Sequence, residues 1–254
     1  MKKYFYIIIL SIFVSVSSYA ENGSENGQVK ECFEGVNRGI FAFNKALDNI
    51  IVEPVAKGYR KLSSPIRTGT GNFLNNLSLL STIPNNILQG DLDLAVKNSS
   101  RLVINTTIGI LGIFDPAESM GLNNYEREDY GQTFAKWGMG EGCYVVLPVL
   151  GPSTVRDTAG KFMSYFGGDP WYNITVKNDT QYVSDFDYYA SVGTSGVDFR
   201  AKNIESFENL EKNSMDFYAS VKSLYLQDRK KKISNSEDIT ETLDDSDWED
   251  IETK

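Results

Sequence analysis

The 254-residue chain contains no histidine. That absence removes the general base of Ser-His-Asp and Cys-His catalysis and the commonest transition-metal ligand. Cysteine is nearly as scarce: Cys32 and Cys143 are the only two, and they have no zinc-type spacing. Basic residues are outnumbered, 25 against 34 acidic, for a net charge of −9. Such a balance offers nucleic acid no basic surface. Beyond the first twenty residues no window holds 18 unbroken apolar residues, the signature of a membrane-crossing helix. A P-loop, a dinucleotide-binding glycine loop and a GxSxG elbow are missing too. Neighbouring acids such as Glu128-Asp129 and Asp185/Asp187 are expected to be solvated loop residues rather than a glycosidase pair. The sequence therefore predicts no catalytic residue, no metal site and no cofactor.

What is present is apolar, glycine-hinged and built for export. Lys2 and Lys3 precede an apolar run, Tyr4 to Val16, and Ser18-Tyr19-Ala20 is a small-x-small cleavage site. Residues 1–20 thus read as a secretory signal peptide, with an uncleaved membrane anchor as the alternative. Residues 21–30 read as a flexible leader and 31–232 as one domain. Residues 233–254 hold nine acids and one lysine and predict a disordered acidic tail. An oxidising compartment permits a Cys32–Cys143 bridge, and two separate buried thiols are the other possibility.

Periodicity predicts an all-α body. Phe33, Val36, Ile40, Phe43, Leu47 and Ile50 recur at helical spacing, marking one apolar face of a helix that Pro54 ends or kinks. A second row, Asn37, Phe41, Asn44 and Asp48, is expected to be a solvated flank. A helix starts near Ser64-Pro65, Pro84 should break the stretch that follows, and a turn at Gln89-Gly90-Asp91 leads into a helix with Leu92, Val96, Ser99 and Val103 on one side. The run IGILGIF, residues 108–114, carries five large apolar side chains around Gly109 and Gly112. Leaving them in water would forfeit about 1.5–3 kcal/mol each, so a core, a lipid phase or a partner must cover them. Tyr130, Phe134, Trp137 and Tyr144, with Tyr125 nearby, suit either an apolar–polar boundary or ordinary packing. YVVLPVL, residues 144–150, is a short strand or extended segment. Val197 to Leu226 reads as one long amphipathic helix, closed by the cations at 229–232.

Several stretches together resemble the MlaA/VacJ family of phospholipid-binding lipoproteins: ECFEGVNRGIFAFN (31–44), VEPVAKGYR (52–60), NFLNNL (72–77), NNILQGD (85–91), RLVINTTIGILGIFDPA (101–117), YGQTFAKWGMGEGCYVVLPVLGPSTVRD (130–157) and YLQDR (225–229). The resemblance spans about residues 31–229. It implies a ring of helices embedded mainly in the inner leaflet of the outer membrane around a central amphipathic channel. It implies phospholipid as the cargo, taken from the outer leaflet and passed to a periplasmic lipid carrier of the Mla type, and a trimeric porin as a partner. It implies no covalent chemistry. A soluble periplasmic lipid-binding module is the alternative function, and a lipid hydrolase would need a histidine-free nucleophile and base that the chain does not offer.

Carried over residue by residue, the resemblance assigns Glu34, Asn37, Arg38, Phe43 and Asn44 to the helix bordering the channel. Ile108, Ile110, Leu111, Ile113, Phe114, Val145, Val146, Leu147 and Leu150 become membrane-facing. Arg156 and Asp157 match the family's Arg-Asp pair and are expected to form a structural ion pair first and a headgroup contact second. The chain departs from the family pattern in lacking a lipobox, since Cys32 lies well past the apolar run. Cys32 and Cys143 both stand where the family commonly has proline, which points to a disulfide tying the first helix to the GEGCY turn.

Overall fold

The computed structural model describes residues 29–122, 126–164, 168–175 and 184–234. The expected signal peptide, most of the leader, Tyr125 and all but the first two residues of the acidic tail lie outside the described residues. Within them the chain is helical apart from one two-stranded sheet, and no helix is long and apolar enough to cross a membrane.

Helix α1 (Glu34–Leu47) continues through a π turn (Asp48–Val52) into α2 (Glu53–Tyr59). Pro54 does not end the helical path, because its missing donor falls where the hydrogen-bond register changes at the π turn. Helix α3 (Ser64–Gln89) also carries its proline, Pro84, instead of breaking at it. Packing against its neighbours outweighs the lost ladder bond, and the Asn85 amide donates to the Ser81 carbonyl at 2.8 Å in the same turn. Gly90, in the left-handed conformation, closes α3, and Asp91 caps α4 (Leu92–Thr107) by accepting from the Leu94 N–H at 3.1 Å.

A tip, residues 108–115, leads to the short α5 (Pro116–Ser119), and α6 (Tyr130–Lys136) is capped by Asp129. Strands β1 (Tyr144–Leu147) and β2 (Gly151–Thr154) pair antiparallel, Tyr144 opposite Thr154 and Leu147 opposite Gly151. Pro148 falls in the turn, outside the ladder. Thr154 then caps α7 (Val155–Met163). After α8 (Pro170–Thr175), the stretch expected as one long helix is divided among α9 (Asp185–Lys202), α10 (Ile204–Asn213) and α11 (Phe217–Ser234). Ser214 is extended, and the Asp216 carboxylate accepts from the Ala219 N–H at 3.2 Å, so a fresh cap starts α11 where periodicity continues one helix.

The interior is polar. Among the described residues, eighteen buried side chains are polar or charged and twelve are apolar. Two small apolar clusters hold six of these twelve: Ala56 with Ala201 and Ile204, and Tyr144 with Val146 and Tyr218. Val146 therefore departs from its expected membrane-facing place. It is 3 % exposed, because strand alternation turns Tyr144 and Val146 inward together.

Candidate functional site

Helices α1 and α4 are turned with their apolar stripes outward. On α1 it is the row of Asn37, Phe41, Asn44 and Asp48 that meets the body, while Phe33, Val36, Phe43 and Ile50 of the apolar row are exposed and Ile40 and Leu47 are partly buried, Ile40 against the Tyr144 cluster. The expectation of a solvated flank is thus reversed. Asn37 is 2 % exposed. Its amide accepts from the Val146 N–H at 2.9 Å and donates to the Tyr144 carbonyl at 3.1 Å. Two turns on, Asn44 donates to the Leu147 carbonyl at 2.9 Å and accepts from the Val149 N–H at 2.8 Å. The two amides act as a surrogate strand along β1. For Asn37 this corrects the channel assignment, because its donors and acceptor are spent on backbone and on Glu31. Arg38, by contrast, is exposed and forms a two-point contact with Asp216 at 2.7 and 3.2 Å, besides a bond to Glu34 at 2.8 Å.

The same reversal shapes the α3–α4 hairpin. Leu92, Val96 and Val103 face outward, and Asn98, Arg101 and Asn105 are buried. Asn98 donates to Asn86 Oδ1 at 2.9 Å, and Asn76 to Thr106 Oγ1 at 2.9 Å. Arg101 Nη2 meets Asp115 Oδ2 at 2.6 Å, and Asn105 meets Asp115 Oδ1 at 2.9 Å. Side-chain amides joining helices whose outer faces are greasy is the arrangement found where lipid, not water, is outside.

Two exposed apolar tips project from this body. At the first, Ile108, Ile110, Leu111 and Phe114 are each about 60 % exposed, and Ile113 is 43 % exposed. Ile110 and Leu111 both adopt positive φ, 52° and 57°, a conformation costly for side chains of this kind. Gly112 follows at φ +91°, and a Cβ there would sit 2.4 Å from that of Asn76, so no other residue fits. At the second tip Val149, φ 67°, and Leu150 are exposed, while Val145 and Leu147 are half-buried. Each tip is held by an asparagine of a neighbouring helix: Asn76 donates to the Leu111 carbonyl at 3.3 Å, and Asn44 clasps Leu147 and Val149.

Between α3 and α9 lies a cleft of about 300 Å³. One wall carries Leu74, Leu77, Ser78, Ser81 and Thr82, the other Tyr188, Ser191, Val192 and Ser195, and residues 127–129 with Asp169 complete the lining. The Glu128-Asp129 pair is not a solvated doublet as expected. Asp129 is taken up by Arg229 at 2.7 and 3.1 Å, whereas Glu128 is buried and accepts from Gln89 Nε2 at 2.8 Å. Burial pushes the Glu128 carboxyl up to about 7, despite the amide that favours its charge. Folded Glu128 therefore binds a proton between about pH 4.5 and 7 that the unfolded chain has released, and stability falls as pH rises through that window. Glu128→Gln should remove about 3 kcal/mol of that pH dependence, checked by urea unfolding at pH 5 and pH 8. Equal slopes in wild type and variant would exclude a neutral buried carboxyl.

The Arg156-Asp157 pair is an ion pair at 3.2 Å with both side chains 3 % exposed. Its wider setting was missed. Arg229, read from sequence as part of a helix-closing basic run, reaches inward to Asp157 Oδ1 at 2.9 Å, and the Tyr225 hydroxyl donates to Oδ2 at 2.5 Å. Burial works against the charge on Asp157, but Arg229, Tyr225 and Arg156 hold its carboxyl below the usual range. Cys32 and Cys143 are joined as a disulfide across a sequence separation of 111 residues, with Cα atoms 5.7 Å apart. Among the described residues no cluster of acidic or cysteine side chains could hold a metal ion.

Comparison with known proteins places these features. Residues 29–232 match the family model described as MlaA lipoprotein. The chain is 32 % identical over 215 residues to the intermembrane phospholipid transport system lipoprotein MlaA of Escherichia coli, covering 82 % of this chain and 80 % of that protein. It is 28 % identical to the protein of that description in Haemophilus influenzae, covering 84 % of each, and 34 % identical to an uncharacterised protein of Rickettsia bellii, covering 88 % and 89 %. A chain solved in work on the structural basis for maintenance of bacterial outer membrane lipid asymmetry superposes with a TM-score of 0.67 at 30 % identity, covering 79 % of this chain and 97 % of that one.

Proposed function

The chain belongs to the MlaA lipoprotein family, and from that membership we propose that it removes misplaced phospholipid from the outer leaflet of the outer membrane and passes it to a soluble periplasmic carrier of the Mla type. The observation that supports this reading most is the reversal of α1 and α4. The apolar stripe of α4 and most of that of α1 point away from the body, while Asn37, Asn98 and Asn105 are buried in it. In water that arrangement is unfavourable by about 1.5–3 kcal/mol for each large side chain left out. Beside hydrocarbon it is the stable choice. Helix α4 has 16 residues, about 24 Å of length at 1.5 Å per residue. That is more than one leaflet of a hydrocarbon layer about 30 Å thick, and less than the whole.

In this reading the body sits in the periplasmic leaflet, held by its own outer surface and without an acyl anchor on Cys32, whose sulfur is in the disulfide. Glu34, Arg38 and Phe43 remain in the proposal as the side of α1 nearest the lipid route, while Asn44, like Asn37, spends its amide on the β1–β2 backbone. A trimeric porin neighbour enters on family resemblance alone. Ring closure and a through-channel belong to the same proposal.

Vesicle flotation tests it. The purified protein should float with phospholipid vesicles, and replacing Ile110 and Leu111 together by aspartate should release it at least tenfold, because a carboxylate at hydrocarbon depth costs about 2.5–3.5 kcal/mol. The variant should fold as well as wild type, since Asp tolerates positive φ better than Ile. A wild-type protein that stays with the soluble fraction, free of lipid, would favour a soluble lipid-binding module instead.

A further inference from the structure

Helix α10 is joined to the rest of the molecule chiefly by charge. Four cations follow one another along α1 and α2, and four acids answer them from α10 and the turn after it. Arg38 meets Asp216 at 2.7 Å besides Glu34 at 2.8 Å, and Lys45 meets Glu211. Lys57 reaches Glu208 at 3.4 Å besides Glu53 at 2.5 Å, and Arg60 meets Glu205. The partners run in opposite chain order, so α10 lies antiparallel to α1 and α2. Every cation of this seam stands on one side and every acid that crosses to it on the other. All eight side chains are at least 35 % exposed. The π turn brings the two halves of the seam into line. Lys57 lies twelve residues beyond Lys45, about 3.3 turns of α-helix, which on a regular helix would set the two about 120° apart. The wider turn at Asp48–Val52 takes up a residue, and about three turns then separate them, so both face α10.

We propose that α10 is a strap latched by charge, which lifts from α1 and α2 as a unit when these ion pairs are screened or competed for. The inference goes beyond the transport reading and does not depend on it. Both ends of the strap are breaks in the helical path: Asn203 divides it from α9, and Ser214, in extended conformation, divides it from α11. Of its ten residues only Ile204, at the Asn203 end, is buried, while Phe207 and Leu210 are half-buried and the other seven are exposed. A segment with so little apolar burial opens locally at far lower cost than the whole molecule unfolds. A lone exposed ion pair holds little, but four in register act as a set, and salt weakens all of them together. Beneath the strap, the Arg200 guanidinium lies 5.1 Å from the centre of the Phe207 ring. It binds Asp48 at 3.0 Å and Glu53 at 3.3 Å, the acids at the two ends of the π turn. Lifting α10 takes Phe207 away from Arg200 and uncovers the one side chain that clamps that turn.

Hydrogen–deuterium exchange of the full-length protein tests this, in micelles of an uncharged detergent so that salt acts on the protein alone. Raising sodium chloride from about 10 mM to about 1 M shortens the screening length from about 30 Å to about 3 Å. Amides of residues 204–213 should then exchange about tenfold faster, equivalent to about 1.4 kcal/mol over the four pairs, while those of α3 and α4 keep their rates. Glu211→Lys should speed exchange in α10 at low salt, because Lys45 then faces a like charge. Adding Lys45→Glu reverses the pair and should restore protection. The wild-type response to salt decides the matter even where a variant fails to fold. Exchange in α10 that is indifferent to salt overturns the latch. A rise shared equally by α3 and α4 overturns it too, because the whole body is then loosening and no strap is lifting.

Discussion

Asp157→Ala should destabilise the protein by about 3–5 kcal/mol, the range for removing one member of a buried charge network. The variant leaves two buried guanidiniums behind. Arg156 loses its partner at 3.2 Å, and Arg229 keeps only the half-exposed Asp129. The Tyr225 hydroxyl loses its acceptor as well. These groups come from α7, α11 and the cap of α6, so the damage spreads across three elements. Against a total stability of about 5–15 kcal/mol, such a loss is the difference between a folded and a partly unfolded population. Urea unfolding of the two proteins at pH 7 measures it, and a loss under 1 kcal/mol would show that the network does not hold these elements together. The same charge arrangement has a pH signature. Because the carboxyl of Asp157 is held below its ordinary value, its contribution is complete at neutral pH and is lost as pH falls through the carboxylate range.

Cutting the Cys32–Cys143 bridge is the second large effect. A closed loop of about a hundred residues restricts the unfolded chain by about 4–5 kcal/mol in the chain-entropy view. The bridge also fastens the segment at Glu31, which pairs with Tyr144 as an isolated parallel bridge. Glu31 receives Lys222 Nζ at 2.5 Å, the Tyr218 hydroxyl and the Asn37 amide at 3.1 Å, so α1, β1 and α11 meet the N-terminal segment beside the disulfide. The double substitution Cys32→Ser with Cys143→Ser should lower unfolding free energy by about 4 kcal/mol. Reductant should reproduce that loss in wild type and do nothing further to the variant. Equal stability with and without reductant would mean that the thiols are not joined in the mature protein.

How far the sequence could be read depends on which physical signal each feature left. Helical period was plain, and so was the turn at Gln89-Gly90-Asp91 between α3 and α4. The long stretch from Val197 to Leu226 misled, because its apolar spacing runs past Ser214 and Asp216 while the side chain of Asp216 starts a new helix. Pro84 misled in the other direction, since one missing ladder bond is small beside the packing of a 26-residue helix. Val146 was grouped with its neighbours as lipid-facing, although a strand must alternate, and Tyr144 fixes which residues turn inward. The cleft left almost no signal. Serines four residues apart on α9 and an Arg-Glu pair in a loop are common in any chain, and only the approach of α3 to α9 makes them one surface.

What the sequence determined alone is the helical character of the chain, its lack of histidine chemistry, the family motifs and the presence of apolar stripes with the period of a helix. Period records that a stripe exists and says nothing of the medium it faces. On α1 the same spacing allowed either row to be the buried one. The tertiary structure decided that Asn37 and Asn44 face the body, because only there can their amides pair with the open backbone of β1. Most of the apolar row is then left on the outer surface, an exposure that water makes costly and hydrocarbon does not.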